Sequence, residues 1–245
     1  MKNKLYCIET KYTTHVYRDT KHQRMCWNEN ISLNTFLFGT GALVFIYYVC
    51  TYTQYKLVEF ANPYLYLACF SFIVMQGIEF FLWKSIRAKD RPMNRAFSVV
   101  GWLTLYLLQP ISFLLLLSYQ YSSIRFGSWL ALYVAVFVIV FGYKLFSNTI
   151  DFTTTVGQNG HLNWNWNDLH GAEYMISVLY FVVCFSAVFV LPWITMYFLL
   201  LLLLSVFIYG NTFNSMWCWI VNSVMLFFLI KILFVLPFKE YRALC

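Results

Sequence analysis

The chain has 245 residues, of which 61% are hydrophobic, 22% aromatic and only 11% charged. Soluble domains hold roughly 45–50% apolar and about 25% charged residues, and a fold of this length cannot hide so much apolar surface. The net charge of +7 would point to nucleic acid on a folded basic surface, but here it lies in short polar ends and loops. There it sets membrane orientation and meets anionic lipid, and no nucleic-acid partner is expected.

Residues 1–30 form a polar tail with Lys2, Lys4, Lys11, Arg18, Lys21 and Arg24. No apolar core follows its first charges, so it is not a secretory signal; it reads as a mostly disordered extension. The rest, 31–237, reads as a transmembrane helical bundle, with 238–245 as a short C-terminal tail. The first span is expected near 33–52, capped by Ser32 or Asn34. Asn30-Ile31-Ser32 matches a glycosylation sequon but abuts the span and is read as a chance match.

The second span, near 64–83, opens after Asn62-Pro63, a natural helix start. The third, near 97–118, carries Gln109-Pro110 at its middle; a proline there frees a carbonyl one turn earlier, which a neighbouring helix must accommodate. The fourth lies near 128–147. A polar loop, 148–173, follows and is expected to anchor at the membrane interface through Trp164 and Trp166.

Tyr174 to Tyr209 is apolar apart from Pro192 and would measure about 54 Å as one helix, against a hydrocarbon core of roughly 30 Å. Splitting it at Leu191-Pro192 gives spans near 174–191 and 193–209. A last span near 215–236 stops at Pro237, for seven spans in an all-α integral membrane protein. An alternative has six, with 174–209 crossing once. Lys84, Arg87, Lys89, Arg91 and Arg95 crowd one connection, which puts the N-terminus in the cytoplasm and offers contacts for anionic lipid.

Charged and polar groups inside spans are the functional candidates, because insertion makes them costly and they face the bundle interior by default. Glu79 and Gln76 lie one turn apart on one face, with Phe72 and Trp83 extending it. Counted to Trp83, Glu79 stands only about 6 Å from the helix end, so a headgroup-level carboxylate paired with Lys84 competes with an interior site. Gln109, Asn222 and Tyr106 add polar groups that act as interhelical glue or converge with Gln76 and Glu79 on one site.

Lys231 sits in the last span, close enough to its end to snorkel. Retinal on Lys231 is disfavoured: Phe227 stands four residues earlier, where microbial rhodopsins generally place a carboxylate and the related heliorhodopsins a serine. The third span also has no acidic counter-ion. In this topology Lys231 and Glu79 lie toward opposite membrane faces.

His161, Asp168, His170 and Glu173 form a candidate loop cluster, but their spacing matches no metal motif, and no metal or cofactor is expected. Walker, GxSxG and GxGxxG patterns are absent from the sequence. The seven cysteines show no CxxC pair, which argues against a disulfide framework or zinc site. Cys26 is a weak palmitoylation candidate, and the terminal Arg-Ala-Leu-Cys is not a prenylation box.

Met25-Cys26-Trp27-Asn28, Ser32-Leu33-Asn34-Thr35, Met75-Gln76 with Glu79-Phe80-Phe81-Leu82-Trp83, and Leu108-Gln109-Pro110 together resemble an uncharacterised family of multi-helix membrane proteins. That family is associated with large DNA viruses and some bacteria. The resemblance covers about residues 25–110 and carries no functional residue, since the family has no assigned activity. It implies a start at Met25 and a host-cell or virion membrane. The expected function is a small-solute or ion pathway, or a ligand-binding bundle, centred on Gln76 and Glu79. The alternatives are a lipid-acting membrane enzyme, toward which the residues do not lean, and a structural or interaction protein.

Overall fold

Asn28 opens the first helix. Its side-chain oxygen accepts from the backbone N–H groups of Asn30 and Ile31, at 2.9 and 3.3 Å, satisfying donors that a first turn leaves free. Helix α1 runs Glu29–Tyr52. The computed structural model describes residues 27–121, 126–147, 151–167 and 172–238. Met25, Cys26, Arg125, Asp168, His170, Lys239 and Arg242 lie outside the described residues.

After a single 3₁₀ turn, Val58–Ala61, helix α2 spans Tyr64–Ala88. It ends at Lys89, which takes the left-handed conformation (φ 54°), and Asp90 caps the next helix by accepting from the Met93 N–H at 3.0 Å. Helix α3 is a 30-residue run, Arg91–Gln120. Pro110 does not break it. The backbone widens into a π segment, Thr104–Leu108, one turn earlier. The carbonyl of Tyr106, which loses its partner to Pro110, accepts from the Tyr133 hydroxyl at 2.7 Å. Tyr133 lies on α4, Phe126–Ser147, whose Phe137 and Phe141 rings each pack 4.7 Å from Trp102 of α3.

A short antiparallel hairpin follows, β1 (Thr154–Val156) and β2 (Leu162–Trp164), with Thr154 opposite Trp164. Helix α5, Ala172–Phe185, tightens into a 3₁₀ turn, Ser186–Phe189, before Pro192 opens α6, Pro192–Tyr209. The apolar run from Pro192 to Phe238 is 47 residues long, but it is not one rod. Gly210 (φ 52°) turns the chain back, so Trp217 Nε1 donates to the Phe198 carbonyl at 3.4 Å and Tyr197 pairs with Ser223 at 2.6 Å. Helix α7 comprises Phe213–Val221, Ser223–Ile230 and the π segment Lys231–Val235. It continues through Pro237 to Phe238, so that proline does not stop it as expected. Its missing N–H falls just after the π segment, whose hydrogen bonds already run one residue longer.

The described residues thus form an all-α bundle with one hairpin at one end. Glu29–Tyr52, Tyr64–Ala88, Arg91–Gln120 and Pro192–Phe238 are long and apolar enough to cross a membrane, and Gly127–Tyr143 and Ile176–Phe189 are shorter apolar helices. Outer faces are apolar too: Phe146, Trp193 and Phe207 are 96, 87 and 84% exposed. Water does not tolerate so continuous an apolar rim, whereas lipid does, and the chain is a membrane protein.

Helices α2 and α3 hold the centre, each with 61% of its most apolar stretch buried, against 28% for α1. Helix α1 approaches α2 closely at Gly39, where a β-carbon would meet Ile73 at 2.9 Å.

The hairpin is not an interfacial loop anchored by exposed tryptophans. Trp164 and Trp166 stack 4.8 Å apart and are buried, and Trp166 lies against Gly101 of α3. Asn94 of α3 donates to the Thr154 carbonyl (3.1 Å), accepts from the Thr154 N–H (2.9 Å) and donates to Ser85 of α2 (3.1 Å). These bonds seat the hairpin on the end of the bundle where α2 and α3 meet. Trp27, at the start of α1, packs on His161 of the same hairpin, and Asn159 donates to the Tyr209 carbonyl at the end of α6.

Candidate functional site

The face of α2 that runs through Phe72, Gln76, Glu79 and Trp83 points into the bundle, because α2 is covered on nearly every side. Gln76 and Glu79 are both 0% exposed. The helix continues five residues beyond Trp83 to Ala88, so Glu79 lies about 13 Å from its end. The carboxylate is enclosed between helices rather than set on an outer face. Lys84 does not reach Glu79 either; its ammonium sits 5.7 Å from the Phe80 ring.

Glu79 has one direct hydrogen bond among the described residues: the Ser215 hydroxyl of α7 donates to its Oε1 at 2.6 Å. Its Oε2 has no partner, and neither polar atom of Gln76 has one, although Gln76 lies near enough to Glu79 to interact with it. Among the described residues the ion pairs of carboxylates are Arg87–Glu29 and Lys231–Glu59, so no cation pairs with Glu79.

Gln109 lies on the same seam but not against Glu79. Tyr180 of α5 donates to its Oε1 at 2.6 Å, and its amide donates to the Ser71 carbonyl at 3.3 Å. Cys218 links the two groups, since its thiol hydrogen-bonds Gln109 and stands within electrostatic reach of Glu79. Asn222, one turn along α7, donates to the Cys218 carbonyl at 2.8 Å, while its Oδ1 is buried without a partner. Gln76, Glu79, Gln109 and Asn222 therefore share one polar seam between α2, α3 and α7, completed by Ser215 and Cys218. Tyr106 belongs elsewhere: its hydroxyl meets Asn167 at 2.5 Å and Ser177 at 2.9 Å.

Lys231 is not part of the seam. It pairs with Glu59, in the connection between α1 and α2, at the end of the bundle opposite the hairpin. That end also holds Asn62, which donates to the Leu116 carbonyl at 2.9 Å, and Tyr121, which donates to the Phe189 carbonyl at 2.7 Å.

The loop cluster is only partly visible. His161 lies between the rings of Trp27 and Tyr209, each centred 5.1 Å away, and burial lowers its pKa from the usual imidazole value. Asp168 and His170 lie outside the described residues, as does the side chain of Glu173. Among the described residues no three histidine, cysteine or acidic side chains gather as for a metal ion. The described cysteines, Cys50, Cys69, Cys184 and Cys218, are free thiols.

Ser215, Cys218, Tyr180 and Glu59 were not legible as partners. Ser215 sits in what reads as a polar turn, Cys218 in what reads as apolar filling, and Glu59 in a connection. Only the periodicity of α7, with Ser215, Cys218 and Asn222 on one face, signals the seam. Comparison of the chain with protein-family models, curated proteins and solved structures finds no match.

Proposed function

We propose that the chain is a seven-span membrane protein whose hairpin end faces the cytoplasm, and that its interior seam is a small-solute or ion site centred on Gln76 and Glu79. The seven-span arrangement is supported by contacts that alternate from end to end. The starts of α1 and α3, the end of α2 and the α6–α7 turn all adjoin the hairpin, whereas Glu59, Asn62, Tyr121, Phe189 and Lys231 gather at the other end. The exposed Lys84, Lys89, Arg91 and Arg95 beside the hairpin support a cytoplasmic position for that end and a role in contacting anionic lipid. The resemblance to the uncharacterised viral and bacterial family, and with it a host-cell or virion membrane, belongs to the same proposal.

The observation that carries the functional reading is the fully buried Glu79, which among the described residues has an unpartnered oxygen and no paired cation, beside a Gln76 whose polar atoms likewise have no hydrogen-bond partner there. A buried carboxylate left without a balancing charge costs several kcal/mol. Bundles retain such groups where a proton, an ion or a polar solute completes them. The test is flux of protons and monovalent cations in proteoliposomes, comparing the native protein with Glu79→Gln and Gln76→Ala at matched incorporation. Loss of flux with unchanged folding yield supports a site. Unchanged flux with a reduced folding yield assigns both residues to helix packing.

A further inference from the structure

We propose that the chamber at the Glu59 end of the bundle is a lipid site, which takes the ammonium headgroup of an ethanolamine phospholipid with Glu59 as its acceptor. The site is separate from Glu79 and does not rest on the reading of that residue.

The chamber measures about 440 Å³, the size of a small-molecule site, and stands half open. Three segments end around it: the 3₁₀ turn Val58–Ala61, helix α3 at Gln120, and the break between α5 and α6 at Leu191 and Pro192. Helices that stop together leave uncovered space between their ends, and this space opens beside the lipid-facing Trp193, which is 87% exposed.

Among the described residues the lining holds one charged side chain, Glu59, and no basic one. Tyr119 and Trp193 bring aromatic rings to the same space, and Gln120 brings an exposed amide that can donate to a headgroup phosphate. A carboxylate beside aromatic rings selects a cation, because ring faces attract ammonium groups. Glu59 has capacity for one. Lys231 donates to its Oε1, while its Oε2 has no hydrogen-bond partner among the described residues, and a carboxylate accepts at both oxygens. Oε2 is covered in this packing, so binding turns the side chain toward the space that it already lines.

What adjoins the chamber decides the body of the ligand. From Trp193, helix α6 carries Met196, Leu200, Leu203 and Phe207 at three- and four-residue spacing, all exposed, as one apolar stripe that starts at the chamber. A headgroup in the chamber and an acyl chain along this stripe use both surfaces, whereas a soluble amine uses only the first. The cavity behind Leu191 and Ile194 holds only about 20 Å³, room for a water and not for an acyl chain, so the chain lies on the outside of α6.

The test is native mass spectrometry of the full chain in detergent, supplied with equal amounts of phosphatidylethanolamine and phosphatidylglycerol that carry the same acyl chains. Retention of phosphatidylethanolamine should fall about tenfold in Glu59→Gln, the scale of one lost charge-assisted hydrogen bond, and should rise in Lys231→Met, which frees the carboxylate. Phosphatidylglycerol should follow neither substitution. Equal phosphatidylethanolamine retention in the native protein and Glu59→Gln would overturn the site, and parallel loss of phosphatidylglycerol would overturn the ammonium assignment. Should Glu59→Gln fail to fold, as its unfolding temperature shows, Lys231→Met decides: retention that does not rise there overturns the proposal. Free ethanolamine is the second probe, read as the fluorescence change that Trp193→Phe removes. Binding of free ethanolamine with no ethanolamine lipid retained would overturn the lipid as occupant and put a soluble amine in its place.

Discussion

Asn94 is the side chain on which the hairpin depends. Thr154 lies opposite Trp164 at a position where its N–H and C=O point away from β2, and the Asn94 carboxamide satisfies both, at 2.9 and 3.1 Å. Its amide also donates to Ser85 at 3.1 Å. Replacing Asn94 with Leu removes three buried hydrogen bonds, each worth about 1 kcal/mol net, for a loss of about 2–3 kcal/mol in docking. Since about 1.4 kcal/mol is tenfold, amide exchange of Thr154 and Trp164 should accelerate roughly 30- to 140-fold. Asn94→Asp keeps the acceptor for the Thr154 N–H but turns an oxygen on the Thr154 carbonyl, so it should be no better than Leu. Hydrogen exchange with mass spectrometry over residues 151–167 reads the effect. Unchanged exchange in both variants would refute the view that Asn94 holds the hairpin in place.

Other expectations concern the helices and the hairpin. Tyr133→Phe leaves the carbonyl released by Pro110 without its donor and should lower stability by about 1 kcal/mol, read as a shift in the denaturation midpoint in detergent. Gly39→Val drives a branched side chain into Ile73, already fully buried, and should cost about 1–3 kcal/mol and loosen α1 from α2, seen as faster exchange along Glu29–Tyr52. His161 has a pKa lowered by burial, so the undocked hairpin binds a proton more tightly than the docked one. Docking should therefore hold above the ordinary imidazole value of about 6.5 and weaken as pH falls below it. Proteolysis within the Gly157–Gly160 turn should quicken on acidification, and His161→Gln should flatten that response.

Helix positions were largely legible because apolar runs and their punctuation are local properties. Pro192 marked a real break, since no single helix of that length fits a bilayer, and Asn62-Pro63 marked a real start. Depth was less legible. The segment Lys84–Ala88 is polar enough to look like a loop, yet it carries on as helix, so Glu79 lies about 13 Å rather than about 6 Å from the helix end. The hairpin was not legible at all: its strands are three residues each, and they are stabilised by an asparagine 60 residues away in sequence. The partners of the seam shared that fate. Glu79 and Ser215 meet across 136 residues, and nothing in the spacing of either segment announces the contact. Lys231 illustrates the converse, because its nearness to a helix end was readable while Glu59, its partner, lay in an unremarkable connection.

An ion or proton site at the enclosed Glu79 requires its carboxyl, and flux of protons and monovalent cations in proteoliposomes tests that requirement. Glu79→Gln keeps the shape and the acceptor for Ser215 but has no acidic proton, whereas Glu79→Asp keeps the carboxyl on a shorter stem. Flux abolished by Gln and partly kept by Asp, at equal incorporation and unfolding temperature, is the predicted result. Native flux in the Gln variant would contradict a role for the carboxyl.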